Sequence, residues 1–166
     1  MKIEIKKPKM SDADKLRELI NDPEVLEQLC GYPFPCPLSR IKKDVRDAIR
    51  GWKRNEFFAF TVFVDEEIAG SIVLENPNPN KGRYDIGFYF GKRFWNQGIA
   101  TEAIRQVVKF GFNKLKLYRV QGDTRSNNPA SNRVFEKAGF KFEGCRKRNN
   151  KIGTKFTDLN MWGITK

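Results

Sequence analysis

Phe94-Trp95-Asn96-Gln97-Gly98-Ile99-Ala100-Thr101-Glu102-Ala103 joins the end of an alternating aromatic run, Arg83 to Phe90, to an amphipathic helix. In that helix Ile104, Val107, Val108, Phe112 and Leu115 recur at helical spacing. Gly98 removes the Cβ that would block close approach, and small Ala100 and Thr101 keep the first turn open. The unbonded N–H groups of such a turn, aided by the helix dipole, form an anion site. The segment is not a dinucleotide fingerprint, because it lacks G-x-G-x-x-G, and no Gly-Lys-Ser/Thr follows to make a Walker loop. On its own it reads first as a tight turn into a helix.

About 30 residues further on stands Asn127-Asn128-Pro129-Ala130-Ser131-Asn132-Arg133-Val134-Phe135-Glu136-Lys137-Ala138-Gly139-Phe140. Asn128 is a good N-cap, Pro129 at the first helical position loses no needed donor, and Gly139 suits the position just past the helix end. Taken singly, helix chemistry explains this segment completely.

Outward from these two helices the chain predicts a run of short elements. Lys2 to Lys7 alternates like an edge strand, and Ser11 with Asp14 resembles a capping box that opens a helix through Leu16, Leu19 and Ile20. Asn21-Asp22-Pro23 stops it, and a short helical segment runs on to about Cys30. Three prolines keep Gly31 to Pro37 from being helical. Ser39 is expected to cap a second amphipathic helix carrying Ile41, Val45, Ile49 and Trp52. Phe57 to Val64 and Ile68 to Leu74 read as a hairpin around Asp65-Glu66-Glu67, Asn76 to Asn80 as a loop, and Arg83 to Phe90 as the next strand. Tyr118 to Thr124, Phe140 to Arg146 and Phe156 to Ile164 complete the strands. The order β-α-α-β-β-β-α-β-α-β-β mixes hairpins with crossovers and predicts an α+β fold. Residues 1–166 then form a single domain, a mixed sheet of about six to seven strands flanked by about four helices.

Composition narrows the chemistry. A chain of 166 residues suits one core, and 14 Phe, 4 Tyr and 3 Trp supply large areas to bury. With 0 His there is no Ser-His-Asp triad, no Cys-His pair and no His-ligated zinc, and Cys30, Cys36 and Cys145 form no C-x-x-C pair. No metal ligands are assigned. The odd cysteine number reads as cytoplasmic and reduced, with a Cys30–Cys36 bridge the less favoured reading. No signal segment or membrane span is indicated. The 32 Lys and Arg against 20 Asp and Glu give a formal charge of +12, spread along the chain. That charge favours anionic partners and weighs against polycations.

Together, on consecutive crossovers, the two segments resemble the GNAT family of acetyl-CoA-dependent N-acetyltransferases. The family's pattern is a (Q/R)-x-x-G-x-(G/A) loop entering a helix, then N-x-x-S or N-x-x-A with G-F closing the next helix. Here they read W-N-Q-G-I-A-T-E-A and N-P-A-S-N-R-V-F-E-K-A-G-F-K-F-E-G. The latter tail and Tyr84-Asp85-Ile86-Gly87-Phe88 are most similar to the RimJ/RimL-type branch, which acetylates N-termini of ribosomal proteins. Two departures stand out. Trp95 and Asn96 occupy positions where the family often has Arg or Gln and Gly, and Phe135 stands where many members place a Tyr general acid.

The resemblance implies a division of labour. Backbone N–H groups near Phe88, Tyr89 and Phe90 hold the pantetheine and polarise the thioester carbonyl. Gln97, Gly98, Ile99, Ala100 and Thr101 take the pyrophosphate, and Asn128 contacts the cofactor arm. Asp85 is the candidate base, with Glu143 and Asp158 as rivals more suited to surface pairs, and Ser131 is the candidate acid, replaceable by water. The loops Cys30 to Pro37 and Asn76 to Gly82 would select the acceptor, with Tyr32, Phe34 and Trp52 as framing or core aromatics. The implied reaction is acetyl transfer from acetyl-CoA to a primary amine, foremost the N-terminal α-amino group of a protein or peptide. A small-molecule amine, or a non-catalytic acyl-CoA- or RNA-binding role, stays open. Ribosome or RNA proximity and a homodimer are compatible partners.

Overall fold

A computed structural model of the chain describes residues 1–29, 31–75, 82–152 and 154–166. The predicted loop Asn76 to Asn80, and Cys30 with its possible bridge, lie outside them; Cys36 is a buried free thiol. Seven strands form one mixed sheet: β1 (Ile3–Lys6), β2 (Phe57–Val64), β3 (Glu67–Glu75), β4 (Arg83–Phe90), β5 (Arg119–Arg125), β6 (Lys141–Ile152) and β7 (Lys155–Thr165). Five helices flank it: α1 (Ala13–Ile20), α2 (Pro23–Glu27), α3 (Leu38–Arg54), α4 (Ile99–Asn113) and α5 (Pro129–Ala138). The spatial strand order is β1-β2-β3-β4-β5-β7-β6, and every neighbouring pair is antiparallel except β4 with β5. Among the described residues no helix is long and apolar enough to cross a membrane.

The parallel pair is where the fold opens. β4 and β5 pair only at Arg83–Arg119, Tyr84–Val120 and Asp85–Gln121. Beyond that point β4 stays in register with β3 as far as Phe90, while β5 stays with β7 as far as Arg125. The two strands therefore part company in mid-sheet. The carbonyl of Ile86 points at Gly122, where an added Cβ would lie 3.0 Å from it, and the carbonyl of Phe90 accepts the Trp95 indole N–H at 2.8 Å. Backbone direction alternates along a strand, so Phe88 also faces the opening and Tyr89 faces β3.

Side-chain alternation sorts the two faces. Tyr84, Ile86, Phe88 and Phe90 pack toward α4 and α5 with Phe58, Phe60, Val120 and Phe135 in the larger core. Ala13, Leu16, Ile20, Val25, Leu26, Ile41 and Val45, from α1 to α3, form a second core on the opposite face, with Tyr89 against it. That second layer covers only part of the sheet, and the β4–β5 opening emerges beside it.

Four local expectations change. Ser11 is not the N-cap of α1: it lies in a 3-10 turn, and buried Asp12 does the bonding, accepting from the Lys9 N–H at 2.9 Å and the Thr61 hydroxyl at 2.8 Å. Ser39 sits inside the first turn of α3, which begins at Leu38 behind Pro37. α2 ends at Glu27, earlier than expected. β6 and β7 run on as a long hairpin to residues 152 and 155, across a polar stretch without apolar alternation. Ladder bonds hold that arm, with Arg148 and Lys151 over the Phe156 ring at 4.3 and 5.5 Å. The Asp65-Glu66 turn of the first hairpin has both residues at positive φ, the geometry that matches strand twist.

Candidate active site

One cavity of about 1100 Å³ passes through the β4–β5 opening and touches both faces of the sheet. Its first half lies at the start of α4. Gly98 is the N-cap residue, at φ +78°, and no side chain caps the helix. The first intrahelical bond runs from Glu102 N–H to the Gly98 carbonyl, so the N–H groups of Ile99, Ala100 and Thr101 have no helical acceptor. A Cβ added at Gly98 would meet nothing within 4 Å, so the glycine is required by its left-handed backbone, and the space above it is open. Asn96 is left-handed too, at φ +60°. Asn tolerates that conformation better than other side-chain-bearing residues, which explains how it replaces the Gly of the family loop. Trp95 replaces a donor by a brace, its indole fixed to Phe90 at the far end of the opened edge. The Gln97 amide donates to the Arg93 carbonyl at 2.6 Å, so its side chain is turned back into the loop.

The start of α5 is built the opposite way. Asn128 Oδ1 accepts the Ser131 N–H at 3.1 Å, and Asn128 Nδ2 donates to Gln28 Oε1 at 2.8 Å, bridging to the end of α2. Asn128 lines the cavity with both side-chain polar atoms engaged. Ser131 lines the same wall, and its hydroxyl makes no hydrogen bond among the described residues. Phe135 is fully buried, ringed by Phe88, Phe140 and Trp162 with centroids 4.8–6.1 Å away. It is a core residue with no proton to give.

The second half of the cavity lies on the other face. The register aligns Glu75 with Asp85 and Asp85 with Gln121, and alternation puts Asp123 and Arg125 on the same face as Gln121. Asp85 thus stands between two carboxylates, all three lining the cavity and none of them ion-paired among the described residues. Burial raises the carboxyl pKa of Glu75, and the charge of Asp85 adds to it. Burial followed by Asp85 does the same to Asp123, with Arg146 opposing. Solvent still reaches both in the open cleft. Asp44 and Asp47 of α3 also line this half. Asp44 accepts from the Tyr32 hydroxyl at 3.0 Å and from Arg40 at 3.1 Å, and Asp47 from Lys43 at 2.6 Å. Burial and Asp44 push the Tyr32 phenol up to about 12.

Of the predicted site residues, Phe88, Phe90, Gly98, Ile99, Ala100, Thr101, Asn128, Ser131 and Asp85 all border this one cavity. Tyr89 borders it too, with its backbone in the β3 ladder. Gln97 is not among the lining residues. Glu143 pairs with Arg119, and Asp158 with Lys147 and the Arg148 N–H, as surface ion pairs. Tyr32 lines the acceptor half, Phe34 is 61% exposed away from it, and Trp52 is packed with Phe58, Phe60 and Phe110. Sequence reasoning missed Glu75, Asp123 and Arg125. Their signal was the alternation Gln121, Asp123, Arg125, which needed the register with β4 before it could be used.

Known proteins share this fold. A family model described as an acetyltransferase (GNAT) domain matches residues 2–141. The chain is 25% identical over 168 residues to the uncharacterized N-acetyltransferase p20 of Bacillus licheniformis, covering 99% of this chain and 93% of that one. It is 26% identical over 141 residues to the ribosomal-protein-serine acetyltransferase of Escherichia coli, covering 82% and 77%. The solved structure of RimL, a ribosomal L7/L12 α-N-protein acetyltransferase in complex with coenzyme A, superposes with a TM-score of 0.90 at 22% identity, covering 98% of this chain and 93% of that one. With the family model spanning most of its length and the parted β4–β5 pair at its centre, this chain belongs to the GNAT family of acetyltransferases.

Proposed function

We propose that the chain transfers the acetyl group of acetyl-CoA to the N-terminal α-amino group of a protein or peptide. The observation that carries this reading is the single cavity joining three uncapped helix N–H groups to a carboxylate-lined acceptor half through the β4–β5 opening. The open first turn of α4 suits a pyrophosphate, because its donors and dipole both favour an anion. The opened edge of β4 offers the Phe88 N–H to the pantetheine and the thioester carbonyl. A neutral amine attacks that carbonyl directly. The new C–N bond forms as the C–S bond breaks, and charge developing on the carbonyl oxygen is met by an edge N–H.

Three proton movements balance the step. The acceptor arrives as an ammonium, and its proton leaves to Asp85, directly or through one water. The departing thiolate takes a proton from the Ser131 hydroxyl or from water on the same wall, and the nitrogen's second proton, lost as the C–N bond forms, returns through water to the group that gave it. Glu75 and Asp123 keep the acceptor half negative and so favour a cationic amine there, although the chain as a whole is basic. Gln97 and Asn128 support the site by shaping its two helix starts.

Calorimetric titration with acetyl-CoA, using ATP as a polyanion control, tests the first half of this reading. The expected result is micromolar binding of acetyl-CoA that ATP does not reproduce. Equal and salt-sensitive binding of both would reduce the site to a basic surface. Thiol release measured with peptides and with diamines then tests the acceptor class, with peptides expected to turn over faster.

A further inference from the structure

Arg125 ends β5 on the acceptor face, two residues beyond Asp123 and on the same side of the strand. Its Nη2 is buried without a hydrogen-bond partner, and among the described residues the guanidinium makes no ion pair. Arg133 of α5 and Arg146 of β6 also line the cavity, but among the described residues Arg125 is the arginine with a buried guanidinium N–H left without a partner. A buried guanidinium N–H with no acceptor is unfavourable unless something supplies one. The acceptor that fits is a carboxylate, whose two oxygens match the fork of N–H groups. The α4 anion site does not account for Arg125. β5 sends its even-numbered side chains, Val120 and Thr124, toward the face of α4 and α5, and its odd-numbered ones, Asp123 and Arg125, to the acceptor side.

The spacing selects among amines. Asp123 and Arg125 are separated by two strand residues, about 7 Å along the sheet, and Asp85 lies further from Arg125 still. A free amino acid holds its carboxylate one carbon from its amine, too near to reach both ends. A peptide advances about 3.3–3.6 Å per residue, so an acidic side chain one or two residues behind the amine spans the gap. We propose that Arg125 is a specificity-determining residue that receives an Asp or Glu side chain of the acceptor. The preferred substrates are then polypeptide N-termini with an acidic residue close behind the amine. This rests on the acetyl-transfer reading above.

The test is steady-state acetylation of peptides identical except for Glu, Gln or Lys at the second position. The wild-type kcat/KM for the Glu peptide should exceed that for the Gln peptide by roughly tenfold, the worth of one charge-assisted pair. Arg125→Gln should erase that preference and leave the KM for acetyl-CoA unchanged, Arg125→Lys should keep part of it, and Arg125→Glu should turn it toward the Lys peptide. Folding of each variant is checked by its melting temperature. Equal rates across the peptides in the wild-type protein overturn the assignment. So does an Arg125→Gln protein that keeps the preference while its KM for acetyl-CoA rises, since Arg125 would then belong to the cosubstrate. If diamines are acetylated and no peptide is, the acceptor class proposed above fails; if peptides are acetylated without preference, only Arg125 loses its role.

Discussion

The two halves of the cavity are made from different materials. The half beneath α4 is backbone: three N–H groups of one continuous turn, left without a helical acceptor or a side-chain cap among the described residues. The acceptor half is side chains brought from separate strands, Glu75 from β3, Asp85 from β4, and Asp123 and Arg125 from β5. A backbone site is destroyed by added atoms but keeps its donors whatever side chains are exchanged nearby. A side-chain site is the reverse. Each substitution below separates the two behaviours, or shows that they cannot be separated.

Asp85→Ala is expected to act most strongly. If Asp85 takes the ammonium proton, turnover at neutral pH falls roughly a hundredfold, the lower range for loss of a general base. Calorimetric affinity for acetyl-CoA stays as it was, because the α4 turn is untouched. A variant with unchanged turnover from pH 6 to 9 removes the base role. A variant with weakened cosubstrate binding breaks the division into two halves.

Gly98→Val probes the backbone half. A β-branched residue at φ +78° costs about 1–2 kcal/mol of stability from backbone strain alone. Its methyl groups would also project into the open space over the first turn. Acetyl-CoA affinity is expected to drop roughly tenfold or more, the equivalent of one lost charge-assisted hydrogen bond. Retained affinity in a folded variant would mean that this turn holds no phosphate.

These two halves differ in how much of each the sequence alone specifies. Gly98, Ala100 and Thr101 lie within four residues of one another, so a local pattern carries the whole feature. The same holds for Asn128, Pro129 and Gly139, whose capping roles appear as the sequence implies. Glu75 and Asp123 are 48 positions apart in the chain and meet Asp85 only through sheet register, which no local pattern specifies. The long β6–β7 arm was missed for a related reason. Its residues carry no apolar alternation, and ladder bonds with a Phe156 stack replace burial as its support. Net charge misled in the same direction: +12 overall gave no hint that three carboxylates, unpaired among the described residues, line the acceptor cleft.

Asn128→Ala contrasts the capped helix start with the uncapped one. Losing the Oδ1 bond to the Ser131 N–H should cost about 1 kcal/mol, a melting shift of roughly 2–4 °C for a domain this size. Thermal denaturation followed by circular dichroism reads it. Acetyl-CoA affinity should move far less than in Gly98→Val. A large affinity loss with little change in melting would instead make Asn128 a direct cosubstrate contact.

The smallest effect is a gain. Burial and the charge of Asp85 hold the Glu75 and Asp123 carboxyls above the usual range. A carboxyl with a higher pKa in the folded chain keeps its proton longer there than in the unfolded one, where it titrates near 4. Stability therefore declines as pH rises from about 4 through the folded values, and the loss is complete above them. Asp85→Asn keeps the size of the side chain and removes the charge shared by both neighbours. At pH 7 it should stabilise the protein by roughly a few tenths of a kcal/mol, since the open cleft screens these interactions. At pH 3, where the Glu75 and Asp123 carboxyls are protonated, the gain should vanish, and salt should shrink it at neutral pH. Melting curves of both proteins at the two pH values measure this directly. A gain independent of pH would come from packing, and a net loss at pH 7 would mean that Asp85 makes a stabilising contact. With the expected result, the same carboxylate lowers stability and supports turnover, because the acceptor half concentrates negative charge where the substrate's ammonium will neutralise it.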